Sequence, residues 1–432
     1  MNLHNRWVQL GVSLIAMIMI ANLQYAWTFF VQPLRTATGW KLSDVQFAFT
    51  LFVLFQTWVQ PLDGWLIDRL GPRGFISAAG LLCGLGWAGL GYATSLPMLY
   101  VLYCVAGIGA AFVYSASIGS ALKWFKQRRG LASGIMAAGF GGGTALFIPI
   151  ISRLIEERGY QTTFIVTGIV QGLVIVMVAQ FMRHPRELQG FERGELQGFA
   201  RAAEPATAAA PATTARLPSG QASQLGRRQF TTLEMLRTPQ FYIMYAMFVL
   251  MATGGLLVTA NAGPMARSWS LTAAALTLAG TLSPLANGAS RVFWGWVSDR
   301  VGRERTMIVA FLLQASCLCL VVALGRLSGA WFAFTLVLVY FTWGEIYGLF
   351  PATSGDYFGT RHATANYSVL YTAKGVAAII GPWFGAFLFE RSGSWSVGFY
   401  GSAVMALVAA GLAAGLHVAA SRRRAAAALQ TR

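Results

Sequence analysis

The segment "GWLIDRLGPR" at 64–73 recurs, 231 residues further on, as "GWVSDRVGRER" at 295–305. Each copy closes the second long apolar run in its half of the chain. Because a repeat at corresponding positions marks related halves, the sequence predicts two similar bundles with a site between them. On either side of one polar stretch, the rest of the chain divides into two sets of apolar runs.

The composition of the 432-residue chain indicates a membrane protein. Hydrophobic residues make up 56% of it and charged residues only 11%, whereas a soluble domain is about 25% charged. The mean hydropathy is +0.56. Four cysteines lie inside apolar runs at spacings that suit no metal, so we expect small buried side chains and no metal site: Cys83, Cys104, Cys317 and Cys319.

Twelve apolar runs are each long enough to cross a hydrocarbon layer of ~30 Å. The predicted fold class is therefore an all-α membrane protein, with twelve transmembrane helices in two pseudo-symmetric six-helix bundles. Boundaries predicted in this way are good to a few residues. The spans are placed at 8–31, 44–66, 75–94, 98–122, 131–154, 162–182, 239–262, 271–297, 305–325, 330–352, 363–389 and 394–418.

The domain organisation follows from these runs. We expect an N-terminal six-helix bundle at 1–182 and a C-terminal six-helix bundle at 239–420. Between them, 183–238 contains the Ala-, Pro- and Thr-rich stretch "EPATAAAPATTARLPSG", which is typical of a linker. The remaining residues, 421–432, are expected to form a cytoplasmic tail.

The basic residues are distributed unevenly between the two ends of the predicted spans. If both termini lie on one side, 23 of the 32 Lys and Arg lie on that side, seven on the other and two within spans. By the positive-inside rule, we expect a multi-pass protein of the bacterial inner (plasma) membrane with both termini cytoplasmic. The formal net charge of +17 then faces the anionic lipid bilayer, which argues against nucleic acid as a partner.

Two cations lie within the predicted spans, although a charge at the bilayer centre costs at least ~2.5–3.5 kcal/mol. Lys374 is near the middle of "SVLYTAKGVAAIIGPWFGAFLF" at 368–389, with Tyr371 on the same stripe. Arg291 lies eight residues before Asp299, about 12 Å into the layer. Either cation could instead extend to an interface, and Arg291 could pair with Asp299. Since two cations in a dry cleft repel each other unless an anion bridges them, we predict an anionic substrate.

One acid, Glu345, also lies within a span, in "YFTWGEIYGLFP". Trp343 and Tyr347 are one turn apart and share a face, whereas Glu345 is about 200° from Trp343 by helical spacing. Glu345 could pair with Lys374 or Arg291, bind a proton, or have a structural partner elsewhere. An ionised Glu345 beside both cations would favour a monoanion over a dianion.

Neutral polar and aromatic side chains interrupt other predicted spans. They could surround a small planar anion through hydrogen bonds and ring contacts. The alternative is that they form hydrogen bonds between helices. These residues are Gln24, Tyr25 and Trp27 in the first span, Gln46, Gln56 and Gln60 in the second, and Tyr114 in the fourth.

Several stretches resemble the oxalate:formate antiporter family of the major facilitator superfamily. Among them are "NLQYAWTFFVQPL", "NGASRVFWGWVSDRVGRERTM", "YFTWGEIYGLFPATSGDYFGT" and "ANYSVLYTAKG", and the resemblance covers nearly the whole chain outside the linker and tails. It implies twelve spans that work by alternating access. It also implies that substrate carboxylates are held by an arginine of the eighth span and a lysine of the eleventh, which are Arg291 and Lys374 here.

The resemblance implies further roles. Pocket aromatics are expected at Tyr25, Tyr114, Trp343 and Tyr347, and a gating glutamine at Gln46. The repeat at 64–73 and 295–305 resembles the cytoplasmic loop motif of the superfamily, which steadies the outward-facing state. Its residues here are Gly64, Asp68, Arg69, Arg73, Gly295, Asp299, Arg300 and Arg303.

The chain departs from the family at two positions. Phe140 stands where the family has a tyrosine, and Glu345 stands where it has a glycine. Both changes bear on oxalate, a dianion, and leave a small carboxylate as the expected substrate. The predicted substrate-binding residues are Arg291, Lys374, Tyr25, Gln24, Trp27, Gln46, Tyr114, Trp343, Tyr347 and Tyr371, with Glu345 as a candidate for coupling.

These observations predict a secondary active transporter of small carboxylates that works by alternating access. An anion exchanger of the oxalate and formate type is the first reading, because two uncompensated cations in an empty site would resist closure. The alternative is a proton-coupled monocarboxylate symporter that uses Glu345. A membrane sensor would need a folded soluble domain, for which the linker and tail are too short. With no catalytic constellation visible, we expect no enzyme, no cofactor and a monomer in the membrane.

Overall fold

The computed structural model describes residues 5–125, 129–183 and 229–430, and these ranges contain helices and no strands. Helices suit a chain of this composition because the bilayer core offers backbone groups no hydrogen bonds, so each segment must satisfy its own. Most of the predicted linker, 184–228, lies outside the described residues, as do the last two residues of the predicted tail.

Seven α-helices make up the described part of the first half. Short 3₁₀ turns at Gln60–Leu62, Leu90–Tyr92 and Gly143–Leu146 connect some of them. The helices are α1 (Arg6–Tyr25), α2 (Trp27–Thr38), α3 (Leu42–Trp58), α4 (Asp63–Gly89), α5 (Leu96–Trp124), α6 (Arg129–Gly142) and α7 (Ile148–Phe181).

Ten further α-helices follow in 229–430, where a π-helical turn at Ile379–Phe384 joins two of them. Pro382 lies inside that turn and cannot donate a backbone hydrogen bond, which accounts for the wider winding. The helices are α8 (Thr232–Leu236), α9 (Pro239–Ser268), α10 (Ala273–Val301), α11 (Arg303–Leu324), α12 (Gly329–Trp343), α13 (Ile346–Phe358), α14 (Ala363–Tyr371), α15 (Ala373–Ala378), α16 (Gly385–Ser392) and α17 (Ser396–Gln430).

The helices account for the twelve predicted spans. Within the described ranges, ten stretches are long and apolar enough to cross a membrane. One of them, Gly134–Phe181, contains two spans, because Gly159 interrupts the helix with φ 78° and ψ 165°. The helix Ala273–Val301 is a further span that is less apolar, since it carries Arg291 and several other buried polar residues. Counting Gly134–Phe181 as two spans and adding Ala273–Val301 gives twelve spans.

The two copies of the repeated motif differ in backbone conformation. In the second copy α10 ends at Val301, and Gly302 has φ 99°, a value that favours glycine. In the first copy, which lies between the spans Leu42–Leu62 and Arg73–Tyr92, α4 runs through the segment without interruption. The chain breaks earlier, at Gln60–Leu62, where Pro61 lacks the N–H that a continuing helix needs.

The two halves pack closely where glycines replace larger side chains. The N–H of Gly263 in α9 donates to Thr28 Oγ1 in α2 at 2.6 Å. A Cβ atom added at Gly288 in α10 would lie 3.0 Å from the carbonyl oxygen of Ala138 in α6. Such close approach between helices is typical of membrane bundles. It places the middle of α10 against the first half, and this region contains the candidate site.

Candidate substrate site

Lys374 lies at the interface between the two halves and is completely buried. Its Nζ donates to Gln24 Oε1 at 2.8 Å, to Gln56 Oε1 at 2.9 Å and to the Tyr371 hydroxyl at 3.3 Å. An ammonium group has three protons, so three acceptors satisfy it fully. Gln24 and Gln56 belong to α1 and α3 of the first half, whereas Lys374 belongs to the second half.

A glycine next to Lys374 allows this arrangement. A Cβ atom added at Gly375 would lie 2.6 Å from Thr57 Oγ1, closer than real Cβ atoms approach other atoms. Trp58 Nε1 also donates to the backbone oxygen of Thr372 at 3.2 Å. The short helix α15 therefore packs directly on the end of α3, which brings the lysine within reach of the two glutamines.

Arg291 is also buried, with 4% of its surface exposed. Its Nη2 donates to Asn287 Oδ1 at 2.9 Å, one turn earlier on α10, and the Tyr25 hydroxyl donates to the same oxygen at 3.5 Å. Asn287 Nδ2 in turn donates to the backbone oxygen of Tyr340 at 3.2 Å. Nε and Nη1 of Arg291 have no hydrogen-bond partner in the described ranges. The alternative pairing with Asp299 is not formed among these residues.

The two cations flank the same pair of aromatic rings. The guanidinium of Arg291 lies 4.4 Å from the ring centre of Tyr347 and 5.9 Å from that of Phe140. The ammonium of Lys374 lies 5.8 Å and 5.6 Å from the same two centres. Ring faces attract cations and reduce the repulsion between them. We call Arg291 and Lys374 the cation pair.

Most of the predicted aromatic residues surround the cation pair. Tyr114 stacks on Tyr371 with ring centres 5.9 Å apart and planes 10° apart, and its edge contacts Phe140 at 5.3 Å. Trp343 packs edge-on against Tyr347 at 5.5 Å. Tyr25 approaches Phe140 at 5.8 Å. The rings come from both halves, so the interface is an aromatic enclosure with two positive charges inside it.

Trp27 and Gln46, which the sequence also placed in the site, contact each other instead of the cation pair. Trp27 Nε1 donates to Gln46 Oε1 at 3.1 Å, and Trp27 packs on Tyr103 at 4.6 Å. Gln46 Nε2 donates to the backbone oxygen of Ala260 in α9 at 2.7 Å. Gln46 thus joins the first half to the second, and the gating role implied by the resemblance stays a prediction.

Glu345 is completely buried at the turn between α12 and α13. Neither of its carboxylate oxygens has a hydrogen-bond partner within the part of the chain that the structure describes. The neighbouring Gly344 and Gly348 pack on α10, where a Cβ atom at Gly348 would lie 3.0 Å from the backbone oxygen of Arg291. The possible ion pair with Lys374 or Arg291 is therefore not formed among the described side chains.

The second copy of the motif forms a charged network at the end of α10. Arg303 pairs with Asp299 at 2.7 Å and with Asp356 at 3.2 Å, while Arg300 lies 3.7 Å from the ring centre of Trp296. A side chain at Gly295 would meet open space. In the first copy, Arg73 Nε donates to the backbone oxygen of Met182 at 3.2 Å. The side chains of Asp68 and Arg69, and the surroundings of Gly64, lie outside the described part of the structure.

Sequence reasoning missed part of the surroundings of the cation pair. Gln56 was recognised as a polar interruption of an apolar span but was not assigned to Lys374. The backbone oxygen of Tyr340, which accepts from Asn287 Nδ2, was not assigned either. The available signal was an amide in an apolar helix, and it does not indicate which distant residue the amide contacts.

The fold agrees with comparisons to known proteins. The family model of the Major Facilitator Superfamily matches residues 12–262 and again 242–430. The chain is a membrane transporter of that superfamily. It is 36% identical over 411 residues to the oxalate:formate antiporter of Oxalobacter formigenes. The aligned residues make up 95% of this chain and 91% of that antiporter. The chain therefore belongs to the oxalate:formate antiporter family.

More distant relatives also match most of the chain. An uncharacterised transporter of the superfamily from Escherichia coli (strain K12) is 26% identical over 376 residues, which are 87% of this chain and 86% of that protein. Monocarboxylate transporter 12-B of Danio rerio is 26% identical over 354 residues, which are 79% of this chain and 72% of the transporter.

Proposed function

We propose that the protein is a secondary active transporter that exchanges small carboxylates, such as oxalate and formate, by alternating access. The observation that carries this proposal is the position of Arg291 and Lys374 on the same two rings, buried between the halves. Two buried cations that share one space favour an anion between them. The name of the relative from Oxalobacter formigenes supports the same class of substrate.

Hydrogen-bond donors around the cation pair suit a carboxylate. Arg291 Nε and Nη1, the Tyr347 hydroxyl and Trp343 Nε1 are buried and have no partner among the described groups. A carboxylate offers two oxygens, each of which accepts more than one hydrogen bond. Charge-assisted bonds from Arg291 and Lys374 would be the strongest of them. In this proposal Tyr25, Tyr114 and Tyr371 enclose the anion and limit its size.

Alternating access requires the halves at 1–182 and 239–420 to separate on one side at a time. Three further bonds join the halves away from the termini. Thr50 Oγ1 donates to the backbone oxygen of Ala378 at 2.8 Å. The N–H and hydroxyl of Ser43 donate to the Glu390 carboxylate at 3.2 Å and 2.6 Å. These bonds, with those of Gln46, would break when that side opens.

The exchange can be tested in proteoliposomes that contain the purified protein. Uptake of labelled oxalate should be much faster into vesicles loaded with formate or oxalate than into vesicles without an internal carboxylate. A bound anion neutralises the cation pair and so favours closure of the two halves around it. Equal accumulation without an internal carboxylate and without a proton gradient would contradict exchange.

A second candidate function is proton-coupled symport of a monocarboxylate, with Glu345 as the proton site. The observation in its favour is that the carboxyl group of Glu345 is completely buried, with no ion pair or hydrogen bond to any described residue. Burial of an unpaired carboxylate is costly, and a bound proton removes most of that cost. A proton gradient should then drive uptake into vesicles that contain no carboxylate, and Glu345→Gln should abolish this uptake.

The membrane placement is also part of the proposal. The excess of Lys and Arg at one end of the spans supports a plasma-membrane protein with both termini in the cytoplasm. The segment 183–238 would then connect the two bundles on the cytoplasmic side, and 421–432 would extend from the second bundle. We propose that a single chain in the lipid bilayer is the transporting unit, since one chain supplies both members of the cation pair.

A further inference from the structure

The hydrogen bonds of Lys374 link the two halves through glutamines. Gln24 and Gln56 supply two of its three acceptors, both are buried, and both belong to the first half. Only the Tyr371 hydroxyl comes from the same half as the lysine. The protein itself can therefore satisfy every proton of this ammonium group.

Each of the two glutamines can change from a hydrogen-bond acceptor to a hydrogen-bond donor. Each is bound to Lys374 through Oε1, and the Nε2 of each has no hydrogen-bond partner within the described ranges. A carboxylate that binds Lys374 must replace at least one of the present acceptors of its three N–H groups. If the displaced amide rotates, its Nε2 can donate to that carboxylate, because the amide carries an acceptor and a donor on the same group.

We propose that Gln24 and Gln56 are substitute ligands of Lys374, which compete with the substrate carboxylate and set how strictly transport is an exchange. This inference rests on the proposed function, in which Lys374 binds the substrate. When the carboxylate leaves, the amide oxygens return to the ammonium and hold the two halves together around it. Without them, the halves could close around Lys374 only when an anion is bound.

Among the described side chains, Arg291 has no amide acceptor from the first half. Its guanidinium donates to Asn287 on its own helix, and the Tyr25 hydroxyl of the first half donates to that asparagine at 3.5 Å and also interacts with Arg291. Competition between protein and substrate is therefore concentrated at Lys374. The wild-type protein should show a measurable net flux of carboxylate besides exchange, and the glutamines should determine its size.

The test compares efflux of labelled oxalate from proteoliposomes with and without external oxalate. A leucine side chain cannot accept a hydrogen bond from Lys374. Gln24→Leu and Gln56→Leu should therefore lower net efflux more than exchange, and should raise the ratio of exchange to net efflux about tenfold or more. Gln60→Leu is the matched control, because Gln60 is buried one turn further along and donates to the backbone oxygen of Gln56 at 3.3 Å. Its ratio should equal that of the wild type.

A second variant covers the case in which a leucine variant does not fold. Gln56→Glu gives Lys374 a permanent anionic partner that competes with oxalate. The affinity for oxalate in binding measurements should therefore fall about tenfold or more in Gln56→Glu and should be unchanged in Gln60→Glu. An unchanged ratio in folded leucine variants, or an unchanged oxalate affinity in Gln56→Glu, would overturn the inference. If wild-type protein neither binds nor exchanges oxalate or formate, the proposed function itself fails, which is a different result.

Discussion

Lys374 and Arg291 both belong to the second half, yet different halves of the molecule supply their hydrogen bonds. Gln24 and Gln56 reach Lys374 across the interface, whereas Arg291 is oriented by Asn287 on its own helix. The lysine is therefore sensitive to the separation of the halves, while the arginine keeps its orientation when they move. Under the proposed function, we therefore expect Arg291 chiefly to bind the substrate and Lys374 to couple substrate binding to the position of the first half.

The largest effect is expected from removing either member of the cation pair. Lys374→Ala and Arg291→Ala should each lower oxalate exchange about a hundredfold or more, because each removes a buried charge that pairs with the anion. Initial rates of exchange in proteoliposomes measure this. The exposed Arg326 serves as the control, and Arg326→Ala should exchange at the wild-type rate.

Conservative replacements sharpen the contrast between the two cations. If Arg291 works through its planar fork, Arg291→Lys should remain strongly impaired in binding. Lys374→Gln keeps a polar group beside Gln24 and Gln56, so the purified protein should fold while exchange is lost. Full exchange by Lys374→Gln would show that the ammonium charge is not required and would contradict the account.

A smaller effect is expected at Phe140, whose ring lies beside both cations. Phe140→Tyr adds a hydroxyl in the enclosure, and one more hydrogen bond to an anion should raise the preference for oxalate over formate about tenfold. Competition between the two anions for exchange measures this preference. The Phe30 ring, buried against Phe164 with 3.9 Å between ring centres, offers a control, since Phe30→Tyr should leave the preference unchanged in folded protein.

A still smaller effect is expected where Ser43 meets Glu390. Because Glu390 is exposed, its hydrogen bonds to the start of α3 should change the equilibrium constant between the two conformations only a few-fold. Glu390→Gln and Ser43→Ala should therefore raise the accessibility of that side about two- to fivefold in labelling experiments. Glu157→Gln is the control, since Glu157 pairs with Arg153 on the same helix at 2.6 Å and does not join the halves.

The smallest effect on exchange is expected at Glu345, which forms no hydrogen bond or ion pair with the described side chains of the cation pair. Glu345→Gln should exchange oxalate and formate at a rate within about twofold of the wild type, because the carboxylate forms no described contact with either cation. Uptake driven by a pH gradient is the measurement that decides its role. Loss of that uptake in Glu345→Gln, with exchange preserved, would favour the second candidate function.

The sequence alone predicted the twelve spans and the two cations, because both depend on the cost of placing polar groups in a bilayer. It also predicted the aromatic enclosure, since Tyr114, Trp343 and Tyr347 interrupt apolar helices or match a known family. It did not assign Gln56 to Lys374 or exclude Glu345 from the cation pair. Those contacts depend on how helices from different halves pack, and helical spacing describes only one helix at a time.

Backbone breaks were also difficult to predict. The turn between α12 and α13 and the π-helical turn at Ile379–Phe384 lie inside spans that hydropathy treats as continuous. The first copy of the motif lies between the two spans Leu42–Leu62 and Arg73–Tyr92, as predicted, yet the backbone there is helical. The local sequence indicates where a helix can be interrupted at low energetic cost, but packing against other helices decides whether the interruption forms.

The central claim, that Arg291 and Lys374 together bind a small carboxylate, can be tested most directly by thermal unfolding of the purified protein with oxalate and with formate. The wild type should unfold at a higher temperature as the anion concentration rises. Arg291→Ala and Lys374→Ala should each fold in the absence of the anion and should each lose this dependence. Stabilisation by the same anion that survives in both variants would contradict the account.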